Sequence, residues 1–486
     1  MAKKSRAQRS GGTRRSSGSG KAAPAAQASG GFADALDRAS SDWGTWLLVL
    51  AASSWFLAHL SPLAPIAIPA WIVTGLVLGL FRPWYGLLLT IVVVPFTGAA
   101  VDPQNGEVLR VVPIYGAAVR VLLDRFVIEP SFGRVGRRGP PWWVVAAAVA
   151  AAGLYALSAL TGYMAQDRDP VFLRAGLQWL AGGAIPMMVA WIAAAHLVAG
   201  RDRLLTTIVL GTTVVACILA LAAWVGIPGV DLFTFVRSVE GGRLGALGYP
   251  TPTAMGLATV LPMAVFAAWR IRRWLVLPVL GLVLVTMVLT WSRGPLIAVG
   301  VGAVAAVLAS GRLDRRMAVA GAAAGAAALV GLVAVRYGTN LDAIMAAISA
   351  STGSDSDRIN TWAAAVTITI ANPFLGGGWY ALLRVGDFAG RRIANAHNVL
   401  LDAFASGGLP LGITNTIVIL YSGWMVWVRR HTMAVYLIAA VVTFLVCGFW
   451  DIPQVRSYAA VMGGIVLGMA AGPLIARAAD GEALAA

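Results

Sequence analysis

The sequence predicts an all-α polytopic membrane protein, with about 12–14 transmembrane helices and one larger extracytoplasmic helical loop. Hydrophobic residues make up 59% of the 486 residues and charged residues only 12%, and the mean hydropathy is +0.78. The apolar residues form a series of runs, each near the roughly 20 residues that a helix needs to cross a bilayer. Basic residues recur in alternate connections between these runs, which is typical of a multi-pass protein.

The predicted spans follow these apolar runs in chain order. They are 43–60, 63–81, 84–100, 108–123, 141–162, 176–199, 204–226, 252–268, 274–290, 295–310, 317–336, 410–428, 433–449 and 456–475. The fourth is the weakest, because Arg110 and Arg120 lie inside it.

The spans divide the chain into five expected segments. These are a disordered basic cytoplasmic tail (1–42), transmembrane helices (43–336), an extracytoplasmic loop domain with short amphipathic helices (337–409), transmembrane helices (410–476) and a cytoplasmic tail (477–486).

The distribution of arginine predicts the orientation. If the basic tail is cytoplasmic, the arginine-rich connections at 124–139, 200–203, 270–273, 311–316 and 429–431 are cytoplasmic as well. The arginine-rich connections then alternate with the predicted outer connections along all the predicted spans. This pattern favours an even number of spans, with both termini in the cytoplasm.

The high pI of about 10.8 does not indicate a nucleic-acid partner. Residues 1–30 carry seven basic residues and no acidic one, in a segment rich in Gly, Ser and Ala. Such a segment is typical of a disordered tail rather than of a folded basic domain. We expect contact with membrane lipids and no nucleic acid.

Arginine also occurs in the predicted outer connections, where the positive-inside rule disfavours it. The basic residues there include Arg237, Arg243, Arg293, Arg358, Arg384, Arg391, Arg392 and His397. Several flank predicted helix ends, which indicates an anion-binding site on the outer face.

The first motif is TWSRGP at 290–295. Arg293 ends one apolar span and Pro295 opens the next, so the guanidinium is expected at the membrane–water boundary near a helix N-terminus. It either binds the phosphate of a lipid-linked substrate or extends to lipid headgroups.

The second motif is GGRLGALGYPTPTAMG at 241–256, with Arg243 among glycines. Glycine lets the backbone approach a ligand closely. The alternative is a flexible loop with an incidental arginine.

The third motif is DRINTWAAAVTITIANPFLGGGW at 357–379. Helical spacing of its apolar residues predicts a short amphipathic helix on the membrane surface, which ends at Asn372-Pro373 before a glycine-rich turn. Arg358 at the helix start is paired either with the neighbouring aspartates or with a substrate phosphate.

The fourth motif is NAHN at 395–398. His397 can take up a proton near neutral pH, and Asn395 and Asn398 can fix its tautomer or bind sugar hydroxyls. The alternative is a polar cluster that caps a helix.

The order and spacing of these motifs resemble the O-antigen ligase and O-antigen polymerase superfamily. The matching residues are Ser292-Arg293-Gly294, Arg358 to Trp362, Asn372 to Gly378 and Ala396-His397-Asn398. The glycine-rich segment around Arg243 also fits the pattern.

The resemblance implies a GT-C-type membrane glycosyltransferase of the bacterial inner membrane with its active site on the periplasmic face. Its donor would be a glycan on undecaprenyl pyrophosphate. Its acceptor would be lipid A-core for a ligase, or a glycan chain for a polymerase. The resemblance also implies that the reaction uses no nucleotide sugar and needs no obligatory metal and no cofactor.

The resemblance also implies residue roles. Arg293 and Arg358, with Arg243 as a third candidate, would hold the pyrophosphate, and His397 would orient or deprotonate the acceptor hydroxyl. Family members commonly carry an acidic residue nine positions after the histidine, where this chain has Ser406. Asp402 lies on the same apolar stretch and is a candidate substitute.

Two other function classes remain open from the sequence. A lipid-linked glycan transporter or flippase suits the number of spans, although the predicted spans contain few acidic residues. A non-catalytic scaffold of envelope assembly is the third hypothesis.

Overall fold

The computed structural model of the chain describes residues 43–58, 61–96, 108–128, 139–165, 168, 170–228, 230, 244, 250–310, 358–379, 381–384, 395–452 and 456–473. Every regular element within these ranges is a helix, and they contain no strand. The predicted all-α class is confirmed.

The longer helices are numbered here in chain order. They are α1 Trp43–Leu57, α2 Ala64–Phe81, α3 Pro83–Val93, α4 Val112–Leu123, α5 Trp142–Ala165, α6 Pro170–Trp179, α7 Ile185–Leu197, α8 Asp202–Trp224, α9 Pro250–Ile271, α10 Val276–Leu289, α11 Arg293–Ser310, α12 358–371, α13 Val399–Arg429, α14 Val435–Trp450 and α15 Ser457–Ala471.

Six helical stretches in the described residues are long and apolar enough to cross a membrane. They are Ala64–Phe81, Trp142–Ala165, Leu180–Leu197, Asp202–Trp224, Pro250–Ile271 and Val399–Arg429. Six further apolar helices are shorter. The chain is therefore a polytopic membrane protein, while the figure of 12–14 spans stays a prediction. The predicted span at 317–336 lies outside the described residues.

The most buried helix is α15, which packs closely against α7. Small residues make this possible, because a Cβ on Gly464 or Gly468 would overlap backbone carbonyls of α7. Close approach at small residues is the usual way in which membrane helices pack. Large apolar side chains on the outer helices, such as Ile66 and Leu277, are exposed as expected for lipid contact.

Helices α11 and α14 run antiparallel in close contact. The hydroxyl of Thr443 donates to the carbonyl of Ala298 over 3.3 Å, and Gly302 lies against the backbone of Ala439. Continued along both helices, this register places Arg293 beside the C-terminal end of α14. The start of α11 and the end of α14 thus share one end of the bundle.

Helix α13 is kinked at Gly408, whose φ of 69° and ψ of −164° are not helical. Pro410 follows and cannot donate a backbone hydrogen bond. The kink divides α13 into a short segment that begins at Val399 and a long apolar segment. The short segment falls within the predicted loop 337–409 and carries the residues nearest to His397.

Candidate active site

His397 lies directly before α13 with its imidazole against the end of α14. Its Nδ1 is 3.1 Å from Oδ1 of Asp451, and 37% of its side chain is exposed. Its backbone φ of 48° is left-handed, which is unfavourable for a residue with a side chain. One edge of the ring is therefore held while the remainder is open to an arriving molecule.

Asn398 fixes the backbone that follows His397. Its Oδ1 accepts the N–H groups of Leu400 and Leu401 over 3.0 and 3.1 Å, which makes it the N-cap of α13. Its Nδ2 donates to the carbonyl of Phe449 over 3.1 Å. The cap of α13 and the imidazole thus both contact the last residues of α14.

Asp402 fixes the backbone that precedes His397. It is almost fully buried, and its Oδ1 accepts the N–H of Ala396 over 3.1 Å. Asp402 therefore supports His397 through the main chain, and the carboxylate that contacts the imidazole belongs to Asp451. Asn395, which directly precedes Ala396, is partly exposed. Its supporting role stays a prediction.

Helix α12 brings Arg358 toward the same region. The ring of Trp362 lies 5.6 Å from that of Phe449 and 6.4 Å from that of Trp450, measured between centroids. On the buried face of α12, Ala365 packs in one cluster with Ala396. Because Arg358 is one helical turn before Trp362, it lies on the side of α12 that faces the end of α14.

The predicted helix and glycine turn of the third motif are confirmed, since α12 ends at residue 371 and turns follow to residue 377. The turn binds to the kink of α13. The N–H groups of Gly377 and Gly378 donate to the carbonyls of Ala405 and Ser406 over 2.8 and 3.0 Å, and Leu409 donates back to Pro373 over 2.7 Å. Ser406 thus contributes its backbone carbonyl to the contact between the glycine turn and the kink.

The same turn is fixed to the end of α5 through paired glycines. Trp379 donates its N–H to the carbonyl of Ser158 over 2.8 Å, and Gly378 lies against the backbone of Gly162. Gly378 has a φ of 79°, which favours glycine. The segment 373–379 is therefore held by backbone contacts to α5 and α13.

We expect Gly378→Ala to destabilise the protein, by roughly 2–4 kcal/mol. The added Cβ would overlap the backbone of Gly162 and would also strain the left-handed φ. The measurement is the apparent unfolding temperature of the purified protein in detergent. Gly153→Ala on α5 is the control, because its Cβ would meet open space. Equal unfolding temperatures for Gly378→Ala and the wild type would contradict the contact.

Arg293 is the first residue of α11 and is exposed. The preceding turn is tight, with Trp291 in a left-handed conformation at φ 56°. Ser292 is buried, and its hydroxyl lies 3.3 Å from that of Thr251 in the first turn of α9. These contacts fix the turn and leave the guanidinium of Arg293 facing outward at a helix N-terminus, where an anion is favoured.

Arg243 lies outside the described residues. The residue after it, Leu244, is buried and donates its N–H to the carbonyl of Leu289 over 2.8 Å, at the end of α10. A role for Arg243 stays a prediction.

A cavity of about 610 Å³ lies between the end of α5 and the glycine turn. Leu160, Thr161, Ile368, Asn372 and Gly377 are among the residues that line it. Of the predicted site residues that the structure describes, none lines this cavity. Among the described residues, no group of three or more His, Cys, Asp or Glu side chains is placed to hold a metal ion.

The His397–Asp451 contact, the start of α12 with Arg358 and the start of α11 with Arg293 therefore lie at the same end of the bundle. Residues 278–415 match the O-antigen ligase family model. The match covers under a third of the 486 residues, and it confirms the resemblance drawn from the motifs. A comparison with curated proteins finds no match.

The O-antigen ligase segment begins inside α10 and ends inside α13. It contains Arg293, Arg358 and His397, and it supports a membrane glycosyltransferase-like enzyme of the ligase and polymerase type. Arg243 lies before it and Asp451 after it.

Asp451 is the site residue that the sequence motifs did not identify. It lies 54 residues after His397, beyond the two predicted apolar spans 410–428 and 433–449. One signal was available: it is an acidic residue directly after a predicted span, in a connection that the alternation places on the same outer face as His397.

Proposed function

We propose that the chain is a membrane glycosyltransferase of the bacterial inner membrane. It transfers a glycan from undecaprenyl pyrophosphate to an acceptor hydroxyl on the outer face, and it acts as an O-antigen ligase with lipid A-core as acceptor. The observation that carries the proposal is the His397–Asp451 contact at the bundle end where α11 begins with Arg293.

In the proposed reaction, Asp451 holds the proton of His397 on Nδ1. This leaves Nε2 as the acceptor of the proton from the attacking hydroxyl. The hydroxyl oxygen forms a bond to the anomeric carbon of the donor glycan. The bond from that carbon to the pyrophosphate oxygen breaks, and undecaprenyl pyrophosphate leaves with the electron pair.

Arg293 and Arg358 carry the second part of the proposal. A guanidinium can donate two parallel hydrogen bonds to a phosphate and stays charged at any physiological pH. Negative charge grows on the pyrophosphate as the glycosidic bond breaks, so fixed positive charge lowers the barrier. Arginine supplies this charge in the proposal, which needs no metal ion.

We expect Asp451→Asn to lower kcat by about 10²-fold with little change in KM for the donor. An asparagine cannot stabilise the imidazolium that forms, and it no longer favours the tautomer with Nε2 free. The measurement is transfer of a radiolabelled glycan in reconstituted vesicles.

Asp402→Asn is the matched control for Asp451→Asn. An amide oxygen at position 402 can still accept the N–H of Ala396, so we expect activity within about threefold of the wild type. A loss in Asp402→Asn as large as that in Asp451→Asn would contradict the distinction between the two aspartates, because Asp402 would then do more than support the main chain.

The acceptor experiment uses the purified chain in vesicles with undecaprenyl-pyrophosphate-linked glycan. Glycan on lipid A-core supports the ligase. Longer lipid-linked glycans without such a product would identify a polymerase of the same superfamily. Movement of intact donor across the bilayer, with no new product, would favour the transporter.

A further inference from the structure

A second basic surface lies at the end of the bundle opposite His397. Helix α13 begins near His397, and helix α14 ends near it. The opposite ends of these two helices meet at Arg429 and Arg430. Six arginines at or near helix ends lie over aromatic rings. The distances from guanidinium carbon to ring centroid are 4.6 Å for Arg82 over Trp43, 5.9 Å for Arg125 over Phe126, 5.1 Å for Arg201 over Trp84, 5.6 Å for Arg270 over Phe266, 5.3 Å for Arg273 over Trp269 and 4.3 Å for Arg430 over Trp427.

Contacts between helices place these pairs on one face. Arg429 donates to the carbonyl of Gly472, and Gly472 lies against Ala195 near the end of α7. Six residues after Ala195, Arg201 covers Trp84 at the start of α3. On the other side, the ring of Phe266 near the end of α9 stacks on that of Tyr436, with centroids 4.3 Å apart.

The charge on this face is strongly one-sided. Its only acidic residues in the described part of the chain are Asp124 and Asp202, and Asp124 is paired with Arg120 over 2.9 Å. The described residues of this face include ten arginines, and we call the surface that they form the arginine face. They are Arg82, Arg120, Arg125, Arg201, Arg203, Arg270, Arg272, Arg273, Arg429 and Arg430.

The chemistry of the pairs fits a phosphate in a lipid environment. An aromatic ring holds one side of a guanidinium and leaves the N–H groups at its edge directed outward. The guanidinium groups of Arg201 and Arg270 contact rings and no hydrogen-bond acceptor among the described residues. The rings of Trp43 and Trp427 are half exposed, as expected for side chains at a membrane interface.

We propose that the arginine face binds the headgroups of anionic phospholipids in the adjacent leaflet. Each ring sits at the boundary of the hydrocarbon region and orients an arginine toward a lipid phosphate. This binding is independent of the proposed glycan transfer. If the predicted orientation holds, the leaflet is the cytoplasmic one.

The test compares spin-labelled phosphatidylglycerol with spin-labelled phosphatidylcholine around the full chain in phosphatidylcholine bilayers. Electron paramagnetic resonance measures the fraction of each label that the protein immobilises, and hence their relative association constant. We expect selectivity for phosphatidylglycerol that falls about fivefold for each arginine removed in the variants Arg201→Gln and Arg270→Gln. Equal association of the two lipids with the wild type would overturn the proposal.

Two matched variants distinguish lipid binding at the arginine face from a general effect of the net charge of the protein. Arg174 is an exposed residue of α6 outside the arginine face, so Arg174→Gln removes the same charge and should leave the selectivity unchanged. Trp84→Leu keeps every charge but removes the ring beneath Arg201, and should lower the selectivity about two- to fivefold. Equal losses in Arg174→Gln and Arg201→Gln would overturn the assignment to this face.

Salt provides a measurement that needs no variant. Headgroup binding by charge should weaken strongly between about 10 mM and 1 M NaCl, because the Debye length falls about tenfold. Selectivity that does not respond to salt would contradict binding by the arginines. A loss of selectivity with intact glycan transfer would separate this result from the proposed function.

Discussion

His397→Ala is expected to lower glycan transfer by about 10²–10⁴-fold, the range lost when a general base is removed. The imidazole of His397 has one nitrogen on Asp451 and is partly exposed, so its other nitrogen is available to a hydroxyl. The measurement is the initial rate of transfer in vesicles at saturating donor. Donor binding should be retained, because in the proposal Arg293 and Arg358 hold the phosphate.

His431→Ala is the control for this change. His431 is exposed between α13 and α14, at the opposite end of the bundle from His397. Its removal should leave the rate within about twofold, as is usual for an exposed residue away from a site. A folded His397→Ala protein with wild-type rate would exclude His397 as the base.

Arg293→Ala is expected to lower kcat/KM by about 10²–10³-fold. Arg293 is exposed at the N-terminus of α11, and the buried turn before it fixes its position. Its removal takes away charge that would stabilise the leaving pyrophosphate. Arg293→Lys should recover part of the activity, since a lysine keeps the charge but cannot make two parallel hydrogen bonds.

Arg174→Ala is the control for Arg293→Ala, because Arg174 is an exposed arginine outside the O-antigen ligase segment. We expect its activity to be close to that of the wild type. If Arg293→Ala and Arg293→Lys were both fully active, the pyrophosphate would not be held by this residue.

The sequence predicts those features of the fold and site that depend on local pattern. Apolar runs predict the helices, and Asn372-Pro373 correctly predicts where α12 ends. Proline and glycine also predict a turn at Gly376 to Gly378. These signals act over a few residues and need no knowledge of the neighbouring helices.

Features that depend on packing could not be predicted in the same way. Asp451 contacts His397 only because the start of α13 lies against the end of α14. The motif spacing predicted Asp402 as the acidic residue instead, and Asp402 contacts the main chain of Ala396. The glycine turn is visible in the sequence, but its partners Gly162 and Gly408 are not. The left-handed backbone of His397 likewise follows from bonds on either side of it.

The most direct test of the proposed transfer uses a donor with two labels, ³²P in the pyrophosphate and ³H in the glycan. The purified chain is reconstituted with this donor and lipid A-core, and both labels are followed through one turnover. The proposal predicts that ³H moves to lipid A-core while all ³²P stays on the undecaprenyl lipid, because the bond from the anomeric carbon to phosphate oxygen breaks. If both labels moved together, or if the donor stayed intact, transfer by this chain would be contradicted.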